Sequence, residues 1–206
     1  MRKLIVTSIV SLDGYVEGPG GNVMALPMDH SFDAYNAERL RAADTLLLGR
    51  KTYEGFKSFW PQQADNTDPE LVKLLADQPE RLATIREISR LNNAIDKVVV
   101  SDSLTEDDTD PWRDTTRIVR RSDAHKQLAE LKHATGGDIL IFGSRTLWND
   151  LLAGGLVDEF HLMVGAVVLG DGTPAFAGGS TASLQLIDTR RWDGSENVLL
   201  RYATGR

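Results

Sequence analysis

The 206-residue sequence predicts an α/β fold of three layers: a mostly parallel central sheet, helices on both its faces, and an antiparallel C-terminal hairpin. Three observations predict it. Apolar runs such as Leu46-Leu47-Leu48, Val98-Val99-Val100 and Ile139-Leu140-Ile141 lack polar alternation, as do strands buried on both faces of a parallel sheet. Helical patterns with recognisable ends separate most of these runs. The last two strand-like runs are joined only by a turn at Asp193-Gly194-Ser195, which suits a hairpin.

Taken in order, strands are expected at Lys3–Leu12, Thr45–Leu48, Lys97–Ser101, Thr116–Val119, Asp138–Phe142, Phe160–Leu169, Leu184–Arg191 and Asn197–Tyr202. Ser31 is the expected cap of a helix carrying Phe32, Tyr35 and Leu40. Ser122 is expected to cap a helix that Gly136-Gly137 stops, and Ser144 one that Gly154-Gly155 stops. The polar stretch 62–96 holds two helical patterns, around Glu70–Ala76 and Glu80–Asn92. It reads as an insertion within one domain spanning 1–206, because it is too short for a core of its own.

Composition excludes several classes of function. Apolar residues at 41% are too many for a disordered chain. There is no cysteine, hence no disulfide, thiolate metal site or thiol nucleophile, which suits a reducing cytoplasm. A net charge of −7 gives no general attraction to nucleic acid or to an anionic membrane. No apolar run approaches the roughly 18 residues a membrane span needs. The four histidines are scattered without metal-ligand spacing, and dinucleotide, Walker-type and serine-nucleophile signatures are missing.

Two strand-to-helix junctions carry the chemical signal. In the first, Leu46-Leu47-Leu48 ends in Gly49, Arg50 and Lys51 follow, and Thr52 opens a helix. Free N–H groups, the helix dipole and two cations would converge there on a phosphate, although a solvated basic turn would read the same. The second, Ile139-Leu140-Ile141-Phe142-Gly143-Ser144-Arg145-Thr146-Leu147, repeats the arrangement. Two such turns at the carboxyl ends of strands suggest two phosphates of one dinucleotide.

Gly49-Arg50-Lys51-Thr52-Tyr53-Glu54 resembles the Gly-Arg-x-Thr-Trp/Tyr-Glu signature of dihydrofolate reductases. The chain is still more similar to dihydrofolate-reductase-like proteins related to the reductase domain of the bacterial riboflavin-biosynthesis deaminase–reductase. Ser11-Leu12-Asp13-Gly14, Trp60-Pro61, Lys97–Ser101, Gly155–Glu159 and Val168–Phe176 match that group in order. The resemblance implies a dihydrofolate-reductase-like fold, NADPH as cofactor, a small-molecule substrate and a homodimer paired through the C-terminal strands. It puts Arg50 at the 2′-phosphate, Lys51 and Thr52 at the pyrophosphate, and Ser101 near the adenosine end. Gly143, Ser144, Arg145, Thr146 and Leu147 then line the pyrophosphate and nicotinamide side, with Tyr15, Val16 and the 18–26 loop as a lid. Two details depart from it: Gly143-Ser144 stands where dihydrofolate reductases have Gly-Gly, and Asp102 would repel a 2′-phosphate.

For the substrate, Leu26-Pro27-Met28-Asp29 resembles the segment whose acid holds the pterin ring, while Asp33 fits that acid's distance from Gly49 better. Either carboxylate could instead complement a helix start. The partner threonine and the arginine for folate's tail have no counterpart in Phe160–Val164 or just before Lys97. The expected activity is therefore hydride transfer from NADPH to a heteroaromatic or imine-like molecule other than folate. Ribosylamino-pyrimidine reduction and a non-catalytic nucleotide-binding role are the alternatives.

Overall fold

Strand residues buried on alternate sides divide between two cores, and this division accounts for the unbroken apolar runs. The structure is a computed structural model that describes residues 1–178 and 181–205. Its elements run β1 (Leu4–Ser11), β2 (Tyr15–Glu17), α1 (His30–Ala42), β3 (Ala43–Gly49), α2 (Arg50–Gln63), α3 (Pro69–Leu74), α4 (Pro79–Ala94) and β4 (Asp96–Val100). The chain continues through β5 (Thr116–Val119), α5 (Arg121–His133), β6 (Asp138–Phe142), α6 (Arg145–Ala153), β7 (Glu159–Gly165), β8 (Thr173–Pro174), β9 (Leu184–Arg191) and β10 (Val198–Thr204). One sheet has the order β5-β4-β3-β6-β1-β7-β10-β9. Its first six strands are mutually parallel, and β10 lies antiparallel to both β7 and β9. The expected architecture and hairpin are therefore present.

Leu47, Val98, Ile139 and Ile141 pack with Leu128 of α5 and Leu151 of α6 on one face. Leu46, Leu48, Val99 and Leu140 pack on the other with Ala37, Tyr53 and Ile88 of α1, α2 and α4. Burial at this scale stabilises by about 1.5–3 kcal/mol per large side chain. The 62–96 stretch supplies α4, whose Ile88 enters that second core.

Several local expectations are corrected. Asp29, rather than Ser31, caps α1, accepting from the Phe32 N–H at 3.0 Å. Ser122 caps nothing, since α5 begins at Arg121, whose N–H donates to Asp102 at 3.0 Å. The carboxylate that would have repelled a 2′-phosphate is thus tied to α5 and ion-paired with Arg121 at 3.3 Å. Thr52 lies inside α2, which starts at Arg50 and continues through Pro61. β7 stops at Gly165, short of Leu169, because the chain beyond it turns to meet Asp13. Asp13 accepts from the Leu169 and Gly170 N–H groups at 3.1 and 2.7 Å. The Ser11 hydroxyl and those two N–H groups hold its carboxyl down to about 2. The Ser-Leu-Asp-Gly motif is therefore a staple between two loops.

Candidate functional site

The functional geometry begins where β6 ends. β6 pairs with β1 only as far as Phe142 opposite Thr7, while β7 accompanies the other flank of β1 to Ser11. Beyond Thr7 the β6 flank of β1 pairs with no strand among the described residues. A cavity of about 410 Å³ opens there, at the carboxyl ends of parallel strands, where open α/β sheets bind ligands.

The two glycine–arginine junctions form one unit at its rim, because β3 and β6 are sheet neighbours. The Gly49 N–H donates to Ser144 Oγ at 3.0 Å, and the Ser144 N–H donates to Thr52 Oγ1 at 3.1 Å. These reciprocal bonds occupy hydroxyls that could have capped the helices. Neither α2 nor α6 has a side-chain cap at its N-terminus, whereas α1 has Asp29. Helix-start N–H groups remain open beside one another, as anion sites require. Gly143 sits at φ +52°, and a Cβ there would lie 3.2 Å from Thr52 Cγ2, so the close approach of the two turns needs glycine.

The predicted cofactor residues separate into groups. Lys51, Thr52, Gly143, Ser144 and Arg145 all line the cavity. Gly49 caps α2 behind it, and Arg50 is exposed, 3.4 Å from Glu54. Arg145 also donates to the Pro174 carbonyl. Thr146 is exposed, and Leu147 is a core residue. Ser101 is buried, and its Oγ accepts from Ser103 and Leu104 N–H groups, an office internal to its loop.

The two candidate acids also part. Asp29 does not line the cavity; its oxygens accept from Phe32 N–H, Ser31 Oγ at 2.6 Å and Ser195 Oγ at 2.5 Å. Burial opposes its ionisation, but the Ser195 and Ser31 hydroxyls outweigh that and hold its carboxyl below the usual range. Asp33 lines the cavity and is 9% exposed. Burial raises its proton affinity, while the Arg81 guanidinium, 2.7 Å away, opposes that rise. Arg81 comes from α4, and its Nη2 also donates to the Met28 carbonyl.

Val16, Val23 and Leu26, from the expected lid, also line the cavity, and sequence reasoning missed most of the rest. Phe56 and Trp60 of α2 lie one helical turn apart, as do Ile88 and Asn92 of α4. Asn36 of α1 joins them. Thr7 Oγ1, Asn36 Oδ1, Asn92 Oδ1 and Trp148 Nε1 are buried without a hydrogen-bond partner among the described residues, and all four residues line this cavity. An orphan buried polar atom is destabilising by about 1–3 kcal/mol, and four of them gather around this one cavity. The amphipathic pattern of α4 was legible, but nothing in it separates a cavity-facing asparagine from a solvated one.

Residues 2–200 match the family profile described as the RibD C-terminal domain. The chain is 30% identical over 208 residues to the uncharacterized protein YyaP of Bacillus subtilis (strain 168), covering 99% of this chain and 96% of that one. Among solved structures it resembles a candidate riboflavin biosynthesis protein from Shewanella sp. PV-4, with a TM-score of 0.63, 21% identity and full coverage of both chains. It also resembles the Thermotoga maritima diaminohydroxyphosphoribosylaminopyrimidine deaminase/5-amino-6-(5-phosphoribosylamino)uracil reductase. There the TM-score is 0.61 at 11% identity, over 99% of this chain and 57% of the other.

Proposed function

The chain belongs to the RibD C-terminal domain family, which points to reductase chemistry, and from that premise we propose an NADPH-dependent reductase of a small heteroaromatic or imine-like molecule. The adjacent, uncapped N-termini of α2 and α6 carry this reading. They offer paired N–H groups and the cations Lys51 and Arg145 to two linked phosphates at the mouth of the cavity. Lys51, Thr52, Ser144 and Arg145 would hold the pyrophosphate, and exposed Arg50 would reach a 2′-phosphate. The unpaired flank of β1 beyond Thr7 suits a carboxamide, which both donates and accepts. Bound NADPH supplies the hydride; the protein orients the partner and keeps water from it.

We assign the substrate carboxyl to Asp33 and the structural one to Asp29. Asp33 lies in the cavity with its proton affinity raised by burial, so it can hold a proton beside a ring nitrogen. Val16 and the 18–26 loop, which gives Val23 and Leu26 to the lining, would cover the reacting atoms. A second reading, reduction of a phosphoribosylamino-pyrimidine, is favoured by what the Thermotoga maritima neighbour is named for.

A homodimer forming on the β9 edge fits its exposure, since Leu184, Leu186 and Ile187 are 38%, 53% and 45% exposed on an edge strand. The absence of cysteine is consistent with a cytoplasmic site of action. The cofactor assignment is tested by calorimetric titration with NADPH and NADH. Micromolar NADPH binding, tighter than NADH, is expected. No binding of either would refute it, and an NADH preference would remove the role given to Arg50.

A further inference from the structure

Resting on the assignment of Asp33 as the substrate carboxyl, we propose that Arg81 is its positioning residue. One guanidinium immobilises Asp33 Oδ2, leaves Oδ1 to the ligand, and fastens the Met28 segment to the same point. The pairing is one-sided. Arg81 Nε donates to Oδ2 at 2.7 Å. Oδ1 makes no hydrogen bond among the described residues, yet it is not one of the enclosed orphan atoms, so it remains accessible. Asp33 lines the cavity, and this accessible oxygen is the one open to a ligand there. The terminal torsion of an aspartate is broad and two-fold, so an unpinned carboxylate presents either oxygen in turn. A bond to one oxygen removes that freedom, as a group that must meet a reacting atom requires.

The guanidinium is itself held. Its Nη2 donates to the Met28 carbonyl at 2.5 Å, and Met28 lines the cavity just before Asp29, the cap of α1. Spanning a carboxylate and a carbonyl with one planar fork suits arginine and not lysine. Arg81 reaches both from α4, which the 62–96 stretch contributes. The place of α4 does not depend on this contact. Ile88 anchors it in the core, and Arg41 of α1 grips Glu87 of α4 through two bonds of 2.7 and 2.6 Å. Two charged pairs thus join α4 to α1, and the one at Arg81 holds a group of the cavity. Burial favours the protonated form of Asp33. Arg81 from α4 opposes that by its hydrogen bond and its charge, His30 on the same helix opposes it by charge, and Asp29 adds to it.

Carbon-13 NMR of the aspartate side-chain carboxyls tests this without any substrate, with Asp33 assigned by its absence from Asp33→Asn. A failure of the substrate reading shows itself separately, in the turnover of Asp33→Asn. Arg81→Met keeps an apolar stem and removes the charge. It should raise the Asp33 titration midpoint by about one pH unit or more, the scale set by an opposite charge in contact. Arg81→Lys returns the charge without the fork and should recover most of that rise. Glu87→Gln, which breaks the neighbouring pair with Arg41, should leave the midpoint where it was. An unmoved midpoint in Arg81→Met, a rise that Arg81→Lys does not recover, or an equal rise in Glu87→Gln would make Arg81 a fastener of α4 and overturn the proposal. Where Arg81→Met does not fold, Arg81→Gln replaces it under the same expectation. Failure of both to fold overturns the proposal as well.

Discussion

Two polar regions of this molecule are equally buried and opposite in character. Beside β7 and β10, His161 is wholly buried with both ring nitrogens engaged: Tyr35 Oη lies 2.8 Å from Nδ1 and Glu159 Oε2 lies 2.8 Å from Nε2. A carboxylate only accepts, so Nε2 carries the proton and Nδ1 accepts from Tyr35. Glu159 is completed by Lys3 at 2.6 Å, with Arg201 at 3.6 Å. At the cavity, four buried polar atoms have no partner among the described residues. A histidine–tyrosine–glutamate chain looks more like catalytic machinery than two asparagines do, yet it lies away from the cavity and is internally complete. The completed chain holds a scaffold, whereas the unpartnered atoms at the cavity leave hydrogen-bonding capacity there unused.

The largest expected effect would sharpen this contrast at the cavity. Asp33→Asn keeps the volume of the side chain and removes its proton and charge. Turnover should fall about 10²–10⁴-fold while NADPH affinity stays within a few-fold, because the phosphate turns lie on other elements. Steady-state kinetics alongside calorimetry would check it. Unchanged turnover would leave Asp33 as no more than the partner of Arg81.

The second effect belongs to the completed network and concerns pH. Burial presses the His161 imidazole down to about 4, with Arg201 and Arg39 adding to that and Glu159 opposing it. A group depressed when folded is protonated first in the unfolded chain. Its contribution is therefore complete above the ordinary value of about 6.5 and is lost as pH falls towards about 4. That gap corresponds to about 3 kcal/mol. Urea unfolding between these pH values should show the decline, and His161→Gln should flatten it. An undiminished slope in the variant would place the titration elsewhere.

The smallest effect separates the two acids. Asp29→Ala should cost about 0.5–2 kcal/mol of stability through the lost cap of α1, with turnover retained at temperatures where the protein is folded. Loss of turnover without loss of stability would return Asp29 to the chemistry.

These contrasts also show what the sequence could and could not disclose. Thr116–Val119, Asp138–Phe142 and Leu184–Arg191 form strands with the expected bounds, Asp138–Phe142 because strand burial is written into its apolar run and Leu184–Arg191, an exposed edge strand, because a turn ties it to the strand that follows. The glycine–arginine turns were legible because they too are local. The cap of α1 was not: Asp29 and Ser31 are both good caps, and the Ser195 hydroxyl that helps settle the choice lies 166 residues away. The clamp between Gly49 and Ser144 spans 95 residues and has no local signature. Arg81 and Asn92 lie in a polar stretch whose composition reads as surface, and only the packing of α4 on α1 and α2 brings Asn92 to the cavity and Arg81 to Asp33.

The central claim is that the uncapped starts of α2 and α6 form one anion site belonging to a nucleotide cofactor. Residue-resolved amide hydrogen exchange, with and without saturating NADPH, tests it most directly. Added protection should concentrate at Lys51, Thr52, Ser144 and Arg145, with exchange in β7, β9 and β10 unaltered apart from any global stabilisation. Protection absent from both helix starts, or concentrated instead around Tyr35 and His161, would contradict the account.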